Sequence, residues 1–328
     1  MIDHILRALA RRCDGPVLRP TDPPYDDART LFNAMIHRRP AAIVQATSTA
    51  DVVAAVAATR EAGVPLAVRG GGHSVAGMSV CDGGIVCDLR RMGSVDADPA
   101  RRLAHAGGGA TWAAFDSATQ AHGLAAVGGR VSSTGVAGLT LGGGSGWLER
   151  RFGLACDALV GPLPYADFQC AIDDPPGLRN WWTADHLDAL PDTAIDTLAE
   201  HSLRMPTGAS QSLVVPWGGA VARQAHAWPL ARRDAAWVVH PFMLWDDPAR
   251  DAEHIGWARG VSAALRPYTN GGVYLNFVGD EGADRVRAAF GDGNLARLAA
   301  VKDRYDPDNV FRLNHNVRPV RAPAVRVS

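Results

Sequence analysis

The sequence predicts an α+β fold in two parts, and three observations support this prediction. The first half alternates helical patterns with short apolar runs, and glycine clusters separate them. After Val160 the glycine clusters become rare and tryptophans become frequent. The apolar run at residues 235–245 is typical of a strand in a broad sheet, and residues 191–202 and 247–267 have helical patterns. We therefore expect a domain boundary near residue 160.

Composition excludes several classes of protein. The chain has 328 residues and a formal net charge of −1 at pH 7, so no overall basic charge would attract nucleic acid or an anionic membrane. No apolar run approaches the roughly 20 residues of a membrane span. The 5 cysteines are scattered and odd in number, which indicates neither a disulfide framework nor a metal site. Because the first residues lack a signal-peptide pattern, we expect a cytoplasmic protein.

Capping residues and apolar spacing predict the elements of the first half. Residues 47–63 predict a helix with Ser48 or Thr49 as its N-cap, three valines on one face and Gly63 at its end. Residues 110–123 predict a second helix that also ends at a glycine. Short apolar runs predict strands at residues 65–68, 85–89 and 103–106.

The most informative segment is residues 66–74, which read LAVRGGGHS. Glycine adopts positive φ easily and has no Cβ, so a glycine turn after a strand can present several backbone N–H groups to an anion. A histidine at the end of the turn, here His73, lies at the rim of such a site. The segment therefore predicts a phosphate-bearing ligand with a reactive side chain beside it. The alternative is a turn histidine that is only hydrogen-bonded to backbone.

A second glycine-rich segment contains eight glycines between Gly128 and Gly146, interleaved with apolar residues. Such a segment suits backbone that lies against a flat or extended ligand. A strand and turn that use glycines only for packing are the alternative. The chain contains no Gly-Lys pair, which excludes the Walker A motif, and none of its glycine clusters has the GxGxxG spacing of dinucleotide-binding domains.

Four motifs occur in a characteristic order. They are RGGGHS at 69–74, GRVSSTGVAGLTLGGGSGWL at 129–148, YLNF at 274–277 and RYDPDNVFRLNHN at 304–316. Together they resemble the berberine bridge enzyme-like FAD-linked oxidases, which belong to the vanillyl-alcohol-oxidase-type flavoproteins. Each motif alone is weak, but the ordered set is highly specific.

The resemblance implies three regions. Residues 1–160 correspond to a PCMH-type FAD-binding domain, and residues 161–300 to a substrate domain with an antiparallel sheet flanked by helices. Residues 301–328 correspond to a C-terminal segment that returns to the FAD-binding domain. The chain departs from the family pattern after Val160, where on the order of a hundred residues are expected to be missing. Both domains are therefore expected to be incomplete.

The resemblance also implies FAD as the cofactor. His73 matches the histidine that bonds covalently to the 8α-methyl group of the flavin. The loop around the pyrophosphate corresponds to Arg69, Gly70, Gly71, Gly72, His73 and Ser74. The glycine wall along the cofactor corresponds to Gly135, Gly138, Gly142, Gly143 and Gly144. Some family members attach FAD a second time through a cysteine, and Val131 stands at that position here, so we expect a single attachment.

Two asparagine motifs match elements near the flavin ring. Asn276 belongs to a Tyr-x-Asn element, and Asn314 and Asn316 form the Asn-x-Asn pair of the C-terminal segment. An asparagine amide offers both a donor and an acceptor, which suits the pyrimidine edge of the flavin.

Tyr274 is the predicted catalytic base, because a tyrosine can take the proton of a substrate hydroxyl while hydride passes to the flavin. Its ordinary pKa near 10 requires either a lowered pKa or concerted loss of proton and hydride. A tyrosine that only packs across the sheet is the alternative. Tyr268 and Tyr165 are weaker candidates for the base, and Trp181 and Trp182 are expected to pack in the core.

Two functional hypotheses follow from different classes of protein. The first is a flavin-dependent oxidase that takes hydride from a carbinol-type or related C–H donor and passes electrons to dioxygen. Its partners are a small-molecule substrate and dioxygen, without metal, nucleic acid or membrane. The second is a catalytically defective remnant with weak or no FAD binding. The sequence predicts neither the substrate nor the oligomeric state.

Overall fold

A computed structural model of the protein describes residues 2–126, 128–142, 174–219, 221–222 and 229–320. Several predictions lie outside these residues. They concern the domain boundary, the departure after Val160, Gly143, Gly144 and Tyr165.

The described elements alternate in type along the first half and form a broader sheet in the second. The helices are α1 (Ile2–Arg12), α2 (Tyr25–Arg29), α3 (Thr49–Ala62), α4 (Trp112–Gln120), α5 (Val136–Leu141), α6 (Asp192–Ser202), α7 (Asp251–Leu265), α8 (Ala283–Phe290) and α9 (Asp292–Tyr305). The strands are β1 (Val17–Leu18), β2 (Ala42–Gln45), β3 (Leu66–Arg69), β4 (Ile85–Asp88), β5 (Val95–Asp98), β6 (Leu103–Ala106), β7 (Arg179–Trp182), β8 (Asp185–Leu187), β9 (Gln211–Pro216) and β10 (Trp237–Trp245). The predicted α+β class is confirmed.

The first sheet has the strand order β1-β2-β4-β3. β4 lies parallel between β2 and β3, whereas β1 is antiparallel to β2. One face packs against α1 and α3, where Leu9 and Ala55 join Leu66 and Ile85 in a buried cluster. The other face packs against the region of α2, whose Tyr25 is fully buried. Both faces of these short strands are therefore covered, as their nearly continuous apolar runs require.

The ends of α3 follow the predicted capping residues. The Ser48 hydroxyl accepts a hydrogen bond from the backbone N–H of Asp51, the Asp51 side chain accepts one from Ser48 in return, and Gly63 ends the helix with φ of 66°. The three valines predicted to share one face do not form the buried face of α3, since the Val53 side chain is 63% exposed. The buried face is instead formed by Asp51 and small residues such as Ala55.

The second sheet is antiparallel and is built around β10. β8 pairs with the first residues of β10 and β7 with its last residues, while β9 pairs along residues 237–242. Helix α7 covers one face, where Met243, Trp245 and Ala258 form a buried cluster. The predicted antiparallel sheet with flanking helices is confirmed. Within the described ranges, no helix is long and apolar enough to cross a lipid bilayer.

Asn33 joins the first part of the chain to the second sheet. Its side-chain N–H group donates to the backbone oxygens of Val75, at 2.8 Å, and of Asn180, at 3.2 Å. Its side-chain oxygen accepts from the backbone N–H of Asn180 at 3.1 Å. Because both asparagines are almost fully buried, these bonds hold β7 beside the loop that follows His73.

Candidate cofactor and active site

The first glycine turn leaves β3 at Arg69. Gly72 has φ of 77°, a backbone conformation that glycine adopts without the strain of an L side chain. The Arg69 side chain is buried, and its guanidinium donates to the backbone oxygens of Ala28 and Thr30. Burial lowers the pKa of Arg69 to about 10, which still leaves it charged near neutral pH. Arg69 thus anchors the turn to α2 through its two terminal nitrogens, which are therefore not available to bind a phosphate.

The two predicted glycine segments lie in contact. A Cβ atom added to Gly71 would lie 2.3 Å from the backbone nitrogen of Gly135, and one added to Gly135 would lie 2.6 Å from that of Gly71. These separations are far below van der Waals contact, so the close approach of two backbone segments requires glycine at both positions. The packing alternative accounts for these two glycines.

Other glycines of the second segment differ from this pair. Gly138 is exposed in α5, and no heavy atom lies within 4 Å of the place where its Cβ would be. Gly142 lies against the Asn276 side chain, whose Oδ1 would be 1.8 Å from an added Cβ. The segment therefore contacts the Tyr-x-Asn element at one end and is open at Gly138.

His73 lies half-buried between an aromatic ring and a hydroxyl. The Phe32 ring stacks on the imidazole with a centroid separation of 4.1 Å and an interplanar angle of 22°. The Ser133 hydroxyl lies 3.0 Å from His73 Nε2. Neither neighbour was predicted. Ser133 lies within the recognised motif, two residues after Val131, whereas nothing in the sequence around Phe32 indicates its contact.

Tyr274 and Asn276 form a joined pair next to α5. The Asn276 side-chain N–H group donates to the Tyr274 hydroxyl at 2.9 Å and to the backbone oxygen of Leu139 at 3.0 Å. Tyr274 is only 2% exposed. A hydrogen bond donated to the phenol oxygen stabilises negative charge there, which suits a group that gives up its own proton or takes one from a substrate.

A layer of aromatic rings connects the surroundings of His73 with Tyr274. Phe32 meets the edge of Trp182 at 6.5 Å, and Trp182 meets His240 at 5.7 Å. His240 stacks on Phe277 at 4.2 Å, and Phe277 meets Tyr274 edge to face at 4.6 Å. Trp182 packs in the core as predicted, and the same packing forms one wall of the site.

His240 is the titratable member of this aromatic layer. Its Nδ1 lies 2.8 Å from the backbone oxygen of Thr183. Burial lowers the pKa of His240 to about 4, and the charge of Arg130 acts in the same direction. The ring is therefore neutral near pH 7, with the Nδ1–H group donating to Thr183.

The C-terminal asparagines reach the same region. Asn314, which is exposed, and Asn316 line a cavity of about 1180 Å³ together with Leu275 and Met78. The side-chain oxygen of Asn316 is buried and has no hydrogen-bond partner. His315, between them, has a pKa lowered by burial, although its hydrogen bond to the Leu275 backbone opposes that shift. Met78 follows the His73 turn, and its backbone N–H donates to the Ser74 hydroxyl at 3.2 Å.

These residues fit a flavin cofactor. The space at Gly138 is open, the amide oxygen of Asn316 lacks a partner, and the cavity that Asn316 lines also contacts Leu275, between Tyr274 and Asn276, and Met78, a few residues after the His73 turn. A buried amide oxygen without a hydrogen-bond partner in the protein indicates a place where a ligand or an ordered water binds. Across the described portion of the chain, no group of three or more His, Cys, Asp or Glu side chains is placed to hold a metal ion.

Two family models match the chain. The model described as FAD binding domain matches residues 40–162, which contain the His73 turn and both glycine segments. The model described as Berberine and berberine like matches residues 273–318, which contain Tyr274, Asn276 and the C-terminal asparagines.

Similar curated proteins align with less than half of the chain. The (R)-6-hydroxynicotine oxidase of Paenarthrobacter nicotinovorans is 37% identical over 147 residues, which are 45% of this chain and 32% of that protein. The uncharacterized FAD-linked oxidoreductase YgaK of Bacillus subtilis is 36% identical over 146 residues, 44% of this chain and 32% of that protein. The chain thus spans about a third of the length of these relatives.

Solved structures share the fold over most of the chain. The 6-hydroxy-D-nicotine oxidase of Arthrobacter nicotinovorans has a TM-score of 0.77 at 21% identity, covering 93% of this chain and 98% of that one. The grass pollen allergen Phl p 4, which has glucose dehydrogenase activity, has a TM-score of 0.83 at 17% identity, covering 97% of this chain and 100% of that one. The ordered motifs and the two family models agree: the chain contains an FAD binding domain and a berberine-like segment, within a fold that it shares with known oxidases, as the resemblance to the berberine bridge enzyme-like FAD-linked oxidases predicted.

Proposed function

We propose that the protein is an FAD-dependent oxidase whose cofactor is attached once, through His73. The observation that carries this proposal is the contact of three predicted elements in one region. The His73 turn packs against Gly135, and the same glycine segment contacts Asn276, which holds Tyr274. Three motifs separated by long stretches of sequence therefore meet in one region, which supports a shared site.

FAD, when bound, supplies the acceptor for a hydride, and the chain supplies position and proton transfer. Tyr274 accepts the proton of a substrate hydroxyl, and Asn276 holds the phenol oxygen in place and stabilises its charge. Gly138 and the backbone of Gly70–Gly72 would hold the extended cofactor, and Asn314 and Asn316 would offer their amides to the pyrimidine edge of the flavin. The aromatic layer from Phe32 to Phe277 keeps water from one side of the site.

The proposed substrate is a small carbinol-type or related C–H donor, and dioxygen is the proposed electron acceptor. The names of the relatives include an oxidase of a hydroxynicotine and a glucose dehydrogenase, so the common feature is an oxidised C–H bond next to a heteroatom. The aromatic layer suits a substrate with an apolar face.

A second candidate is a remnant that binds FAD weakly or not at all. Its support is the short alignment with the curated relatives, which covers 32% of each.

An absorbance spectrum before and after acid precipitation separates the two candidates. We expect flavin bands that stay with the precipitated wild-type chain and are absent from the His73→Ala precipitate. Precipitates of both proteins without flavin would contradict covalent attachment. A wild-type protein without flavin even before precipitation would favour the remnant. Circular dichroism of both proteins controls for loss of fold.

A further inference from the structure

We propose that Ser133 and Phe32 are positioning residues that set the tautomer and the plane of His73 for its covalent bond to the flavin. This inference rests on the proposed function. It assigns to two side chains outside the glycine turn the task of preparing the histidine before the cofactor is attached.

Phe32 fixes the plane of the imidazole. Its ring lies 4.1 Å from the His73 ring and nearly parallel to it. Phe32 is itself held, because it is 7% exposed, its backbone N–H donates to Gly72 at 3.3 Å, and Trp182 packs against its edge. The same residue thus binds the backbone of the turn and stacks on the side chain that follows it.

Ser133 fixes one ring nitrogen. Its hydroxyl lies 3.0 Å from Nε2 of His73. The turn that carries Ser133 is closed by the bond from Thr134 N–H to the Val131 oxygen at 3.2 Å, and the contact of Gly71 with Gly135 prevents it from moving away. Ser133 itself is exposed, so packing of the core does not explain its position.

The contact allows two tautomers, because the Ser133 hydroxyl can donate to a bare Nε2 or accept from Nε2–H, and the proposed arrangement is the second. With Nε2–H donating to the Ser133 oxygen, the lone pair of the neutral ring is on Nδ1. Attachment through Nδ1 ends with loss of the Nε2 proton, after which the Ser133 hydroxyl donates to the bare Nε2, whereas attachment through Nε2 would break the contact. The reaction forms one N–C bond. The methyl carbon and the imidazole each lose one hydrogen, and dioxygen accepts both hydrogens with their two electrons as hydrogen peroxide.

The first test measures the rate of covalent flavin incorporation. Wild type and variants are prepared from riboflavin-depleted cells and mixed with FAD in air, and acid-stable flavin fluorescence is followed with time. We expect Ser133→Ala to incorporate flavin roughly tenfold to a hundredfold more slowly than wild type, because a misplacement of about 1 Å can cost about a hundredfold in rate. Ser133→Thr, which keeps the hydroxyl, should restore most of the rate. Ser117→Ala, the same change at an exposed serine of α4, should match wild type.

The second test reads the tautomer without FAD. Nitrogen-15 chemical shifts of the His73 ring should show Nε2–H as the main form in wild type and a mixture in Ser133→Ala. Phe32→Leu should slow incorporation, and Phe32→Tyr, which keeps the stack, should not. Thermal unfolding checks that the Phe32 variants fold.

The outcomes distinguish this inference from the proposed function. If wild type incorporates flavin and Ser133→Ala does so at the same rate, the positioning role is overturned and the proposed function stands. A wild-type ring with Nδ1–H as its main tautomer also overturns the role of Ser133. If wild type never acquires covalent flavin, the proposed function fails, and this inference fails with it.

Discussion

The two sides of the candidate site are built by different means. On the His73 side, which comprises residues 69–74 and 133–142, the geometry depends on backbone segments in direct contact. On the Tyr274 side, which comprises β7, β10 and residues 274–277, it depends on buried aromatic side chains and on one neutral histidine, His240. An added methyl group should therefore disrupt the packing of the His73 side, whereas the loss of an aromatic ring or the protonation of a histidine should disrupt the Tyr274 side.

The largest expected effect is that of Gly71→Ala on the His73 side. The new Cβ would lie 2.3 Å from the nitrogen and 2.9 Å from the Cα of Gly135, and backbone cannot move aside as a flexible side chain can. We expect the free energy of unfolding to fall by about 3 kcal/mol or more, or folding to fail. Urea unfolding measures the loss. A variant as stable as wild type would show that the two segments are not in contact.

The next effect concerns the protonation of His240 on the Tyr274 side. Its folded pKa of about 4 lies below the usual 6.5, so the unfolded chain binds the proton first as the pH falls. Stability is therefore constant above about pH 6.5 and is lost between pH 6.5 and pH 4. This one group should lower the free energy of unfolding by about 2 to 3 kcal/mol over that range.

His240→Phe tests this pH dependence. The variant loses the hydrogen bond to Thr183 at every pH, at a cost of about 1 kcal/mol, but it lacks the proton that destabilises wild type in acid. The decline of stability from pH 7 to pH 4 should therefore be shallower than in wild type. His122→Phe, at an exposed histidine, is the matched control and should leave the decline unchanged. An equally steep decline in His240→Phe would contradict the assignment.

Sequence and structure agree best where the interactions are local. Ser48 and Gly63 define α3 because a cap and its partners lie within a few residues. The contacts that form the site are distant: Asn276 and Leu139 are 137 residues apart, and Ser133 and His73 are 60 residues apart. Motif resemblance predicted most of these residues, but neither spacing nor composition predicts which distant side chains meet.

Arg69 shows a different limit of the sequence. The motif places it at the phosphate loop, yet its side chain binds carbonyl oxygens of α2 and the residue after it. A motif assigns a residue to a region, and packing decides which of its groups faces the ligand.

Asp116 of α4 extends the comparison to a buried carboxyl group in the first part of the chain. Protonation of Asp116 should raise the free energy of unfolding, whereas protonation of His240 lowers it. Asp116 is 1% exposed, neither carboxyl oxygen has a hydrogen-bond partner, and burial raises its pKa to about 6. Because the pKa in the folded state lies above the unfolded value of 3.8, the protonated carboxyl group favours the folded state. This contribution to stability is complete below pH 3.8 and is lost as the pH rises through about 6. Asp116→Asn should therefore stabilise the protein at pH 8 by about 1 to 2 kcal/mol, with a smaller difference at pH 5.

Asp51 is the matched control for Asp116, because it is equally buried and lies on α3. Burial acts to raise its pKa, but hydrogen bonds from the backbone N–H groups of Thr47 and Asp14 outweigh burial and lower it. Asp51→Asn should destabilise the protein at neutral pH, because the amide cannot accept all of these bonds. If the two asparagine variants changed stability in the same direction at pH 8, hydrogen bonding would not be what separates the two carboxylates.

The smallest effect on stability is expected for Gly138→Ala, and it separates the two roles of glycine on the His73 side. An added Cβ meets nothing within 4 Å, and Gly138 is exposed in α5, so alanine should stabilise the helix by about 0.5 kcal/mol. If this open space holds the cofactor, the same methyl group should lower the amount of flavin bound. Unfolding in urea and flavin content, measured on the same preparation, should therefore move in opposite directions. Unchanged flavin content would place the cofactor away from Gly138, because a methyl group in contact with the flavin cannot leave its binding unaffected. Gly71→Ala cannot make this distinction, since the fold and the flavin would be lost together.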